Sequence, residues 1–459
     1  MATNSRSSSA SKSWIKWRWV LAPSFSAGLL LCLGSWGGSA ARLSIALAEP
    51  KVPNAERRIT DSDYGSLQTA IDAIAITGGT VEVSRVHELR EEITLRSDVQ
   101  LLGMGGRIIF RGDRPFVHEG DATPSRVAIN ASHVQNVRLF DLEVSDGAPQ
   151  AGPLVGIRLF DSVDSWVERN RLNKASMVFH SVDTRKVRNL RCRDNVLELG
   201  GIDASGINVS AQNGALIDGN TIDAGREGIG IYNGTQNSVI SRNHTTNHRP
   251  GDGIVVIAGH DLIISENISR DNAQSGIATQ RFHEGNDVRH VIIVSNLVAG
   301  NAFDGIDANG GLVATKDRVP YDISIVGNQS HDNERSGLYL THASYALVVA
   351  NQATSNGLAG VHVHESGHVL TSSNLTSENS SKEENRKLKA GFVFYDAPHA
   401  TSTGNVSMNA RTDNQLWGLV DVNDGRRSAS VTISGGYYGD NTQGTVSRTP
   451  LDVIRANGR

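Results

Sequence analysis

Four side chains able to carry acid–base chemistry recur at matching places in short segments that begin with Gly. Asp307, Tyr339 and His362 each stand two residues after a Gly, and His364 stands two residues beyond His362. Side chains alternate between the faces of a β-strand, so these positions point away from the aliphatic residue that follows each Gly. Stacked as neighbouring strands, the four groups would occupy three consecutive rungs within about 10 Å. Carboxyl, phenol and imidazole groups at such distances can exchange protons near neutral pH.

The segments belong to a repeat that runs from Arg169 to Asn409 with a period of about two dozen residues. Each unit contains a Gly followed by an aliphatic residue, then a corner Asn and, in many units, a second Asn five residues later. No helical period fits a unit, whereas period-2 alternation beside Gly, Asn and Ser is typical of strands and turns. The corner Asn are Asn220, Asn243, Asn267, Asn296, Asn328, Asn351 and Asn374, and the second Asn are Asn272, Asn301, Asn333, Asn356 and Asn379.

This repeat predicts an all-β fold, a single-stranded right-handed parallel β-helix (solenoid) with an N-terminal capping helix. Each strand would pair with its copy one coil away, and each corner Asn would adopt a left-handed φ and hydrogen-bond its copies. Ser66 is a plausible N-cap for the capping helix, whose apolar face would contain Leu67, Ile71 and Ile74. The aliphatic residues expected to stack inside are Ile207, Ile229, Ile254, Ile277, Ile306, Leu338 and Val361.

Residues 1–48 are predicted to be a signal peptide, because basic residues precede the apolar stretch from Val20 to Leu33 and small residues precede Glu49. An uncleaved anchor remains the alternative. Residues 49–459 are assigned to the β-helix: 49–105 form the cap and first coils, 106–420 the coils, and 421–459 the C-terminal coils and tail. The protein is expected to be secreted or periplasmic, without stable membrane insertion once the leader is removed. Only Cys192 then remains, so no intramolecular disulfide can form.

The composition argues against a nucleic-acid partner. The chain has 47 Gly in 459 residues, 5% aromatic residues and a formal net charge of −4, without the basic surplus that phosphate binding requires. A monomer is expected.

The order of features from Leu67 to Gly105 resembles a known superfamily. An amphipathic helix, Gly-Gly-Thr-Val and an alternating Ile-x-Leu-x-Ser-x-Val-x-Leu segment precede the Asn/Gly coils. This order resembles the secreted pectate-lyase-type β-helix superfamily and, within it, mannuronan C5-epimerase catalytic modules, over nearly all of the mature chain. The superfamily includes lyases, epimerases, hydrolases and structural spikes, so the resemblance implies the fold more closely than the reaction.

The epimerase resemblance also implies positions for site residues. Those modules carry a Tyr-Gly-x-Asp-Pro-His strand. Here the segment from Asp304 to Asn309 keeps the Gly and, at Asp307, the Asp, whereas Asn309 stands in the place of the His. The Arg of the family lies two residues before a coil Gly, a place that Arg335 and Arg226 hold.

Coil lengths predict where a substrate would bind. The coils that begin at Gly276 and Gly305 carry extra loops, and Ser380 to Lys387 form an insertion on the other side of the strand, so a groove is expected between them. The candidate substrate-binding residues are Arg281, Asn309, Lys316, Arg335, His342, Glu365 and Tyr395. His244, His248 and His260 stand in coils without extra loops and are interpreted as surface residues.

These residues predict an enzyme that modifies an acidic, uronate-containing polysaccharide by C5 proton abstraction, as a C5-epimerase or a β-eliminating lyase. Arg281 and Arg335 would neutralise the sugar carboxylate, His362 or His364 would be the base, and Tyr339 the second proton carrier. No metal site or required cofactor is predicted, and Ca²⁺ stays open because carboxylates such as Asp307 offer oxygen ligands.

Two alternatives remain. The first is a β-helix glycoside hydrolase that uses Asp252, Asp304 and Asp307; Asp252 and Asp304 stand two coils apart, at roughly 10 Å, just beyond the range of inverting carboxylate pairs. The second is a non-catalytic carbohydrate-binding or structural β-helix.

Overall fold

The computed structural model describes residues 57–450, except 121–122, 202, 281–287, 311–320, 410–413, 424–430, 440 and 442. Within them, strands of successive coils pair in parallel and form three ladders around a buried interior. The predicted signal peptide lies outside the described residues, and the predicted division of the β-helix into three parts stays a prediction. No described helix is long and apolar enough to span a membrane.

The first ladder contains the strands that follow the coil Gly. Its members are Ile93–Thr94, Arg126–Ser132, Leu154–Phe160, Ala175–His180, Ile207–Ser210, Ile229–Ser241, Ile254–Ser265, Ile277–Gln280, Ile306–Asn309, Leu338–Thr341, Val361–His364, Ala390–Tyr395, Trp417–Asn423 and Gly444–Pro450.

The second ladder shares the two longest of these strands, Ile229–Ser241 and Ile254–Ser265, which bend from one ladder into the other. Its other members are Arg58–Thr60, Gly79–Val83, Val99–Gly103, Arg138–Phe140, Trp166–Glu168, Arg191–Arg193, Leu216–Asp218, Arg289–Val294, Tyr321–Val326, Leu347–Val349, Leu370–Ser372, Thr401–Thr403 and Thr432–Ser434.

The third ladder is a separate sheet on the remaining side. It consists of Val86–Leu89, Arg107–Phe110, Glu143–Asp146, Arg171–Asn173, Val196–Glu198, Thr221–Asp223, His244–Thr246, Ile268–Arg270, Leu297–Ala299, Gln329–His331, Gln352–Thr354, Leu375–Ser377 and Val406–Met408.

The inward column of the first ladder has the predicted register. The seven aliphatic residues from Ile207 to Val361 are paired coil by coil, the column continues to Phe392, and all are fully buried. Each such burial contributes about 1.5–3 kcal/mol. Because this column holds alternate residues inward, the second and fourth positions of each strand are held on the outer face.

The corner Asn form a buried hydrogen-bonded ladder. Nδ2 of Asn243, for example, donates to Oδ1 of Asn267 at 3.0 Å and to the carbonyl of Ile217 at 2.9 Å. The predicted left-handed φ of these Asn is wrong: it belongs to the preceding residue, as at Arg242 with φ 54° and Glu266 with φ 56°. The chain turns one residue earlier, and the Asn side chain then satisfies polar groups inside the coil.

The capping helix extends over Leu67–Ala75, and Ser66 is its N-cap, since its side chain accepts a hydrogen bond from the Thr69 N–H at 3.1 Å. Leu67, Ile71 and Ile74 are buried and join the main core, which confirms the predicted cap. Two short 3₁₀ helices, Asp61–Asp63 and Pro149–Ala151, complete the helical segments that the described residues contain.

His248 corrects one interpretation of the sequence. It is fully buried rather than at the surface, its Nδ1 accepts a hydrogen bond from the Gly225 N–H at 3.1 Å, and burial lowers its pKa to about 4. Its own N–H donates to Oδ1 of Asn272. His248 therefore occupies the place of a second Asn in its coil, five residues after the corner. His244 and His260 are partly exposed.

Candidate active site on the first ladder

The first ladder brings the four candidate catalytic residues onto three adjacent strands. Asp307 is the register partner of Tyr339, Tyr339 is the partner of His362, and Thr341 is the partner of His364. All four are on the outer face, opposite the buried column. Neighbouring coils are about 4.8 Å apart, so side chains of this size reach one another across the ladder.

Tyr339 is the centre of an aromatic cluster. Its hydroxyl is hydrogen-bonded to Nδ1 of His364 at 3.1 Å, and its ring meets the His362 ring edge-to-face with centroids 5.1 Å apart. The two imidazoles are stacked at 5.9 Å, and Tyr395 packs against His364 at 4.8 Å. A phenol and two imidazoles are thus within reach of one bound group.

The carboxylate of Glu365 lies next to His364. Glu365 lies 3.0 Å from Nε2 of His342 and 3.7 Å from Nε2 of His364, while Nδ1 of His342 lies 3.0 Å from the Thr341 hydroxyl. The sequence predicts that His342 and Glu365 bind substrate, and this stays a prediction. Their contacts with each other and with His364 also suit them to orient the imidazole.

Three carboxyl groups have raised pKa values beside this cluster. Asp304 accepts a hydrogen bond from the Ser336 N–H at 2.8 Å and Asp252 from the Ser275 N–H at 2.7 Å. Burial raises the pKa of Asp304 to about 6 and that of Asp252 to about 7. Burial, followed by the charges of Asp304 and Asp252, raises the pKa of Asp307 well above its usual range. Each of these carboxyl groups therefore keeps its proton to a higher pH than an exposed Asp does.

Arg335 supplies a cation on the same flank. Its Nη1 lies 3.5 Å from Oδ2 of Asp304, and its guanidinium lies 5.5 Å from the Tyr339 ring and 5.4 Å from the Phe303 ring. The side chain is 40% exposed, so it can still meet an anionic ligand. Phe303 was missed by the sequence reasoning, although it stands two residues before its coil Gly, as Arg335 does.

The aromatic cluster is electrically neutral at pH 7. Burial, with smaller effects of His364 and Arg335, lowers the pKa of His362 to about 3, and burial also lowers the pKa of His364. Burial raises the pKa of Tyr339. Nε2 of His362 and Oδ1 of Asp307 are buried and have no hydrogen-bond partner among the described residues. Unpartnered buried polar atoms are costly, and both point to a ligand that completes them.

The structure describes only some of the remaining candidate substrate-binding residues. Arg281 and Lys316 lie outside the described residues, as do the extra loops in which they stand. Asn309 is the register partner of Thr341 and hydrogen-bonds to Asp307. No three His, Cys, Asp or Glu side chains of the described residues are arranged to hold a metal ion.

The family model of the right-handed β-helix region matches residues 177–311 and 284–437, which together span more than half of the chain. The chain belongs to the right-handed β-helix family. With the parallel register described above, this assignment confirms the predicted fold class. No curated protein sequence matches the chain.

Several solved structures share the fold. A point mutant of the periplasmic alginate epimerase AlgG is 14% identical, with a TM-score of 0.52 and coverage of 86% of this chain and 84% of that one. A hyperthermoactive exopolygalacturonase from Thermotoga maritima is 12% identical, with a TM-score of 0.50 and coverage of 73% and 89%. The A-module of mannuronan C-5 epimerase AlgE4 from Azotobacter vinelandii is 16% identical, with a TM-score of 0.47 and coverage of 86% and 99%. At these identities the likeness extends to the fold alone.

Proposed function

We propose that this protein modifies an acidic, uronate-containing polysaccharide by removing the proton at C5 of a uronate residue, as a C5-epimerase or a β-eliminating lyase. The observation that carries the proposal is the hydrogen bond of 3.1 Å between the Tyr339 hydroxyl and Nδ1 of His364, with His362 packed against the same ring. These groups form a neutral proton donor and a neutral proton acceptor side by side.

The first requirement of this chemistry is to stabilise the charge that forms on the uronate carboxylate as C5 loses its proton. Arg335 can pair with that carboxylate, because its guanidinium is partly exposed beside Tyr339. Burial and the charges of the neighbouring carboxyl groups raise the pKa of Asp307, and in its protonated form Asp307 can donate a hydrogen bond to the same group.

The second requirement is a pair of proton-transfer groups. Nε2 of His362 is the base, since it is neutral and has no hydrogen-bond partner among the described residues. A carboxylate bound beside this imidazole raises its pKa, because an anion favours the imidazolium form. The Tyr339 phenol, whose hydroxyl lies 3.1 Å from Nδ1 of His364, stays protonated because burial raises its pKa, and it is the acid during turnover.

The two reactions differ in where the second proton goes. In β-elimination the C5–H bond breaks, its electrons form the C4–C5 double bond, the C4–O bond breaks, and Tyr339 protonates the leaving oxygen. In epimerisation the C4–O bond stays intact and Tyr339 gives a proton to C5 from the opposite face. In both reactions Tyr339 is left as a phenolate and His362 as an imidazolium, and transfer of the proton from His362 to the phenolate, whose ring it contacts, restores both groups.

Glycoside hydrolysis is the second candidate, favoured by the pKa values of about 6 and about 7 at Asp304 and Asp252. Against it, Asp304 and Asp252 are 0% and 4% exposed and each accepts a backbone N–H hydrogen bond, whereas the Tyr339 and His362 residues are partly exposed and better placed to touch a sugar. The solved structures of similar fold include an alginate epimerase and an exopolygalacturonase. Their low identity supports the fold alone, so the proposal rests on the site.

A panel of acidic polysaccharides incubated with the purified protein in D₂O tests the proposal. A lyase creates unsaturated uronate ends that absorb ultraviolet light, and an epimerase incorporates deuterium at C5 without cutting the chain. New reducing ends without either signal would transfer the assignment to the hydrolase. Binding without any reaction would favour a non-catalytic β-helix. The proposed setting is secreted or periplasmic, with the protein acting as a monomer.

A further inference from the structure

The outer face of the first ladder becomes apolar and buried one coil beyond the candidate site. Tyr339 and His362 are partly exposed, but the next residues in the same column, Val393 and Val420, are 2% and 0% exposed. Val422, in the adjacent outward column, is 1% exposed. Buried apolar residues on the outside of a β-helix require something to cover them.

The cover includes the insertion in this coil. Val393, Val420 and Val422 form a second hydrophobic cluster with Ala359 and Ala390, separate from the main core. Leu388, at the end of the insertion, packs on this cluster together with Tyr395 and Trp417. The end of the insertion therefore packs against this cluster.

The insertion is fixed to the coil before it. The Ser380 N–H donates to the carbonyl of Asn356 at 2.8 Å and the Lys382 N–H to that of Gly357 at 2.7 Å. The Lys382 ammonium lies 3.1 Å from Glu334. Backbone hydrogen bonds at one end and apolar packing at the other hold the segment in place.

We propose that residues 380–389 form a wall that ends the substrate groove one coil beyond His362, so that the protein acts near one end of a uronate chain rather than in its interior. This inference rests on the proposed function. One coil is about 4.8 Å, so the groove has room for about one sugar unit between His362 and the wall. Leu388 is the specificity-determining residue, since it joins the insertion to the buried cluster.

The chain offers a direct test of the wall. Deletion of residues 381–388 joins Ser380 to Lys389 and gives Asn379 and Gly391 the same spacing as Asn333 and Gly337 in a coil without the insertion. Leu388→Ser is a second, smaller change. Lys382→Ala is the matched control, because it removes an exposed ion pair and leaves the apolar cover intact.

Two readouts separate this inference from the proposed function. Affinity for purified oligouronates of increasing length is expected to level off at short oligomers in the parent and in the control, and to keep rising several-fold in the deletion and Leu388→Ser variants. Early products on the polymer are expected to come from chain ends in the parent and from internal positions in the variants.

Parent affinity that rises steadily with length would overturn the wall, whether or not any variant folds. Failure of C5 chemistry with length-limited binding retained would refute the proposed function and keep the wall. Absence of binding to every oligouronate would refute both.

Discussion

The Tyr339 hydroxyl lies 3.1 Å from Nδ1 of His364, a residue of the next coil. Burial raises the pKa of the phenol and lowers the pKa of the imidazole, so the bond joins two uncharged groups at neutral pH. A proton that the phenol gives to a substrate can be replaced by the proton that His362 takes from C5, because the His362 ring packs against the same phenol. This pairing makes Tyr339 the first residue to test.

Tyr339→Phe is expected to lower kcat by at least about a hundredfold, the scale for losing a positioned acid. The ring and its packing remain, so the melting temperature should stay close to that of the parent. Tyr345→Phe is the matched control, because Tyr345 is an exposed Tyr on the turn after the same strand and stacks on His368 instead. Equal loss of activity in both variants would remove the special role of Tyr339.

Glu365→Gln is expected to move the acidic limb of the kcat/KM profile to lower pH. Glu365 and Asp396 raise the pKa of His364, whereas burial and His342 lower it, with burial the largest effect. Removal of the Glu365 charge leaves the lowering effects less opposed, so His364 stays neutral in more acidic solution. Kinetics measured across the acidic range check this, and a shift to higher pH would contradict the assigned environment of His364.

Asp307→Asn and Asp307→Ala are expected to differ. If Asp307 acts as a neutral hydrogen-bond donor, Asn keeps a donor and should stay within about tenfold of the parent, whereas Ala should lose about a hundredfold. The measurement is kcat/KM for both variants on one polymer. Inactivity of the Asn variant alongside a comparably inactive Ala variant would show that Asp307 must ionise, as a hydrolase nucleophile or base does.

The outer positions of the site were predictable because the repeat specifies them. A Gly and an inward aliphatic residue set the register of each strand, and residues an even number of positions after the Gly then point to the outer face. Asp307, Tyr339 and His362 could therefore be aligned from the sequence. The capping helix was equally predictable from Ser66 and the spacing of its apolar residues.

Contacts that depend on packing between coils were not predictable. The contacts of Glu365 with His342 and His364, for example, depend on the turns of two coils. The burial of His248 could have been found, since it stands five residues after Asn243 in the place of a second Asn. The length of the insertion at 380–387 was visible in the sequence, whereas the packing of Leu388 at its end on the second hydrophobic cluster was not.

Ile306→Asp tests the register itself. Ile306 is fully buried in the inward column. An unpaired carboxylate there is expected to destabilise the fold by about 3 kcal/mol or more, so that little soluble protein is recovered. Its neighbour supplies the control, because Asp307→Asn changes the outer face and should be recovered like the parent. Normal recovery and melting of Ile306→Asp would contradict the assignment of faces.

Asp252→Asn is expected to change stability with pH while leaving turnover close to that of the parent. Burial raises the pKa of Asp252 from its ordinary value to about 7, so the folded state holds this proton more tightly than the unfolded state. Parent stability should therefore fall as pH rises from about 4 through about 7, where the folded protein must ionise a buried carboxyl group.

The Asn variant cannot ionise, and its Oδ1 can still accept the Ser275 N–H. The melting temperature of the variant minus that of the parent should thus increase across that range and then level off. Both proteins should still lose some stability as pH rises, because Asp304 and Asp307 also have raised pKa values. Thermal unfolding between pH 4 and pH 8, together with turnover, decides the matter. A difference independent of pH would contradict the raised pKa, and a stable but inactive Asp252→Asn would move the assignment to the hydrolase.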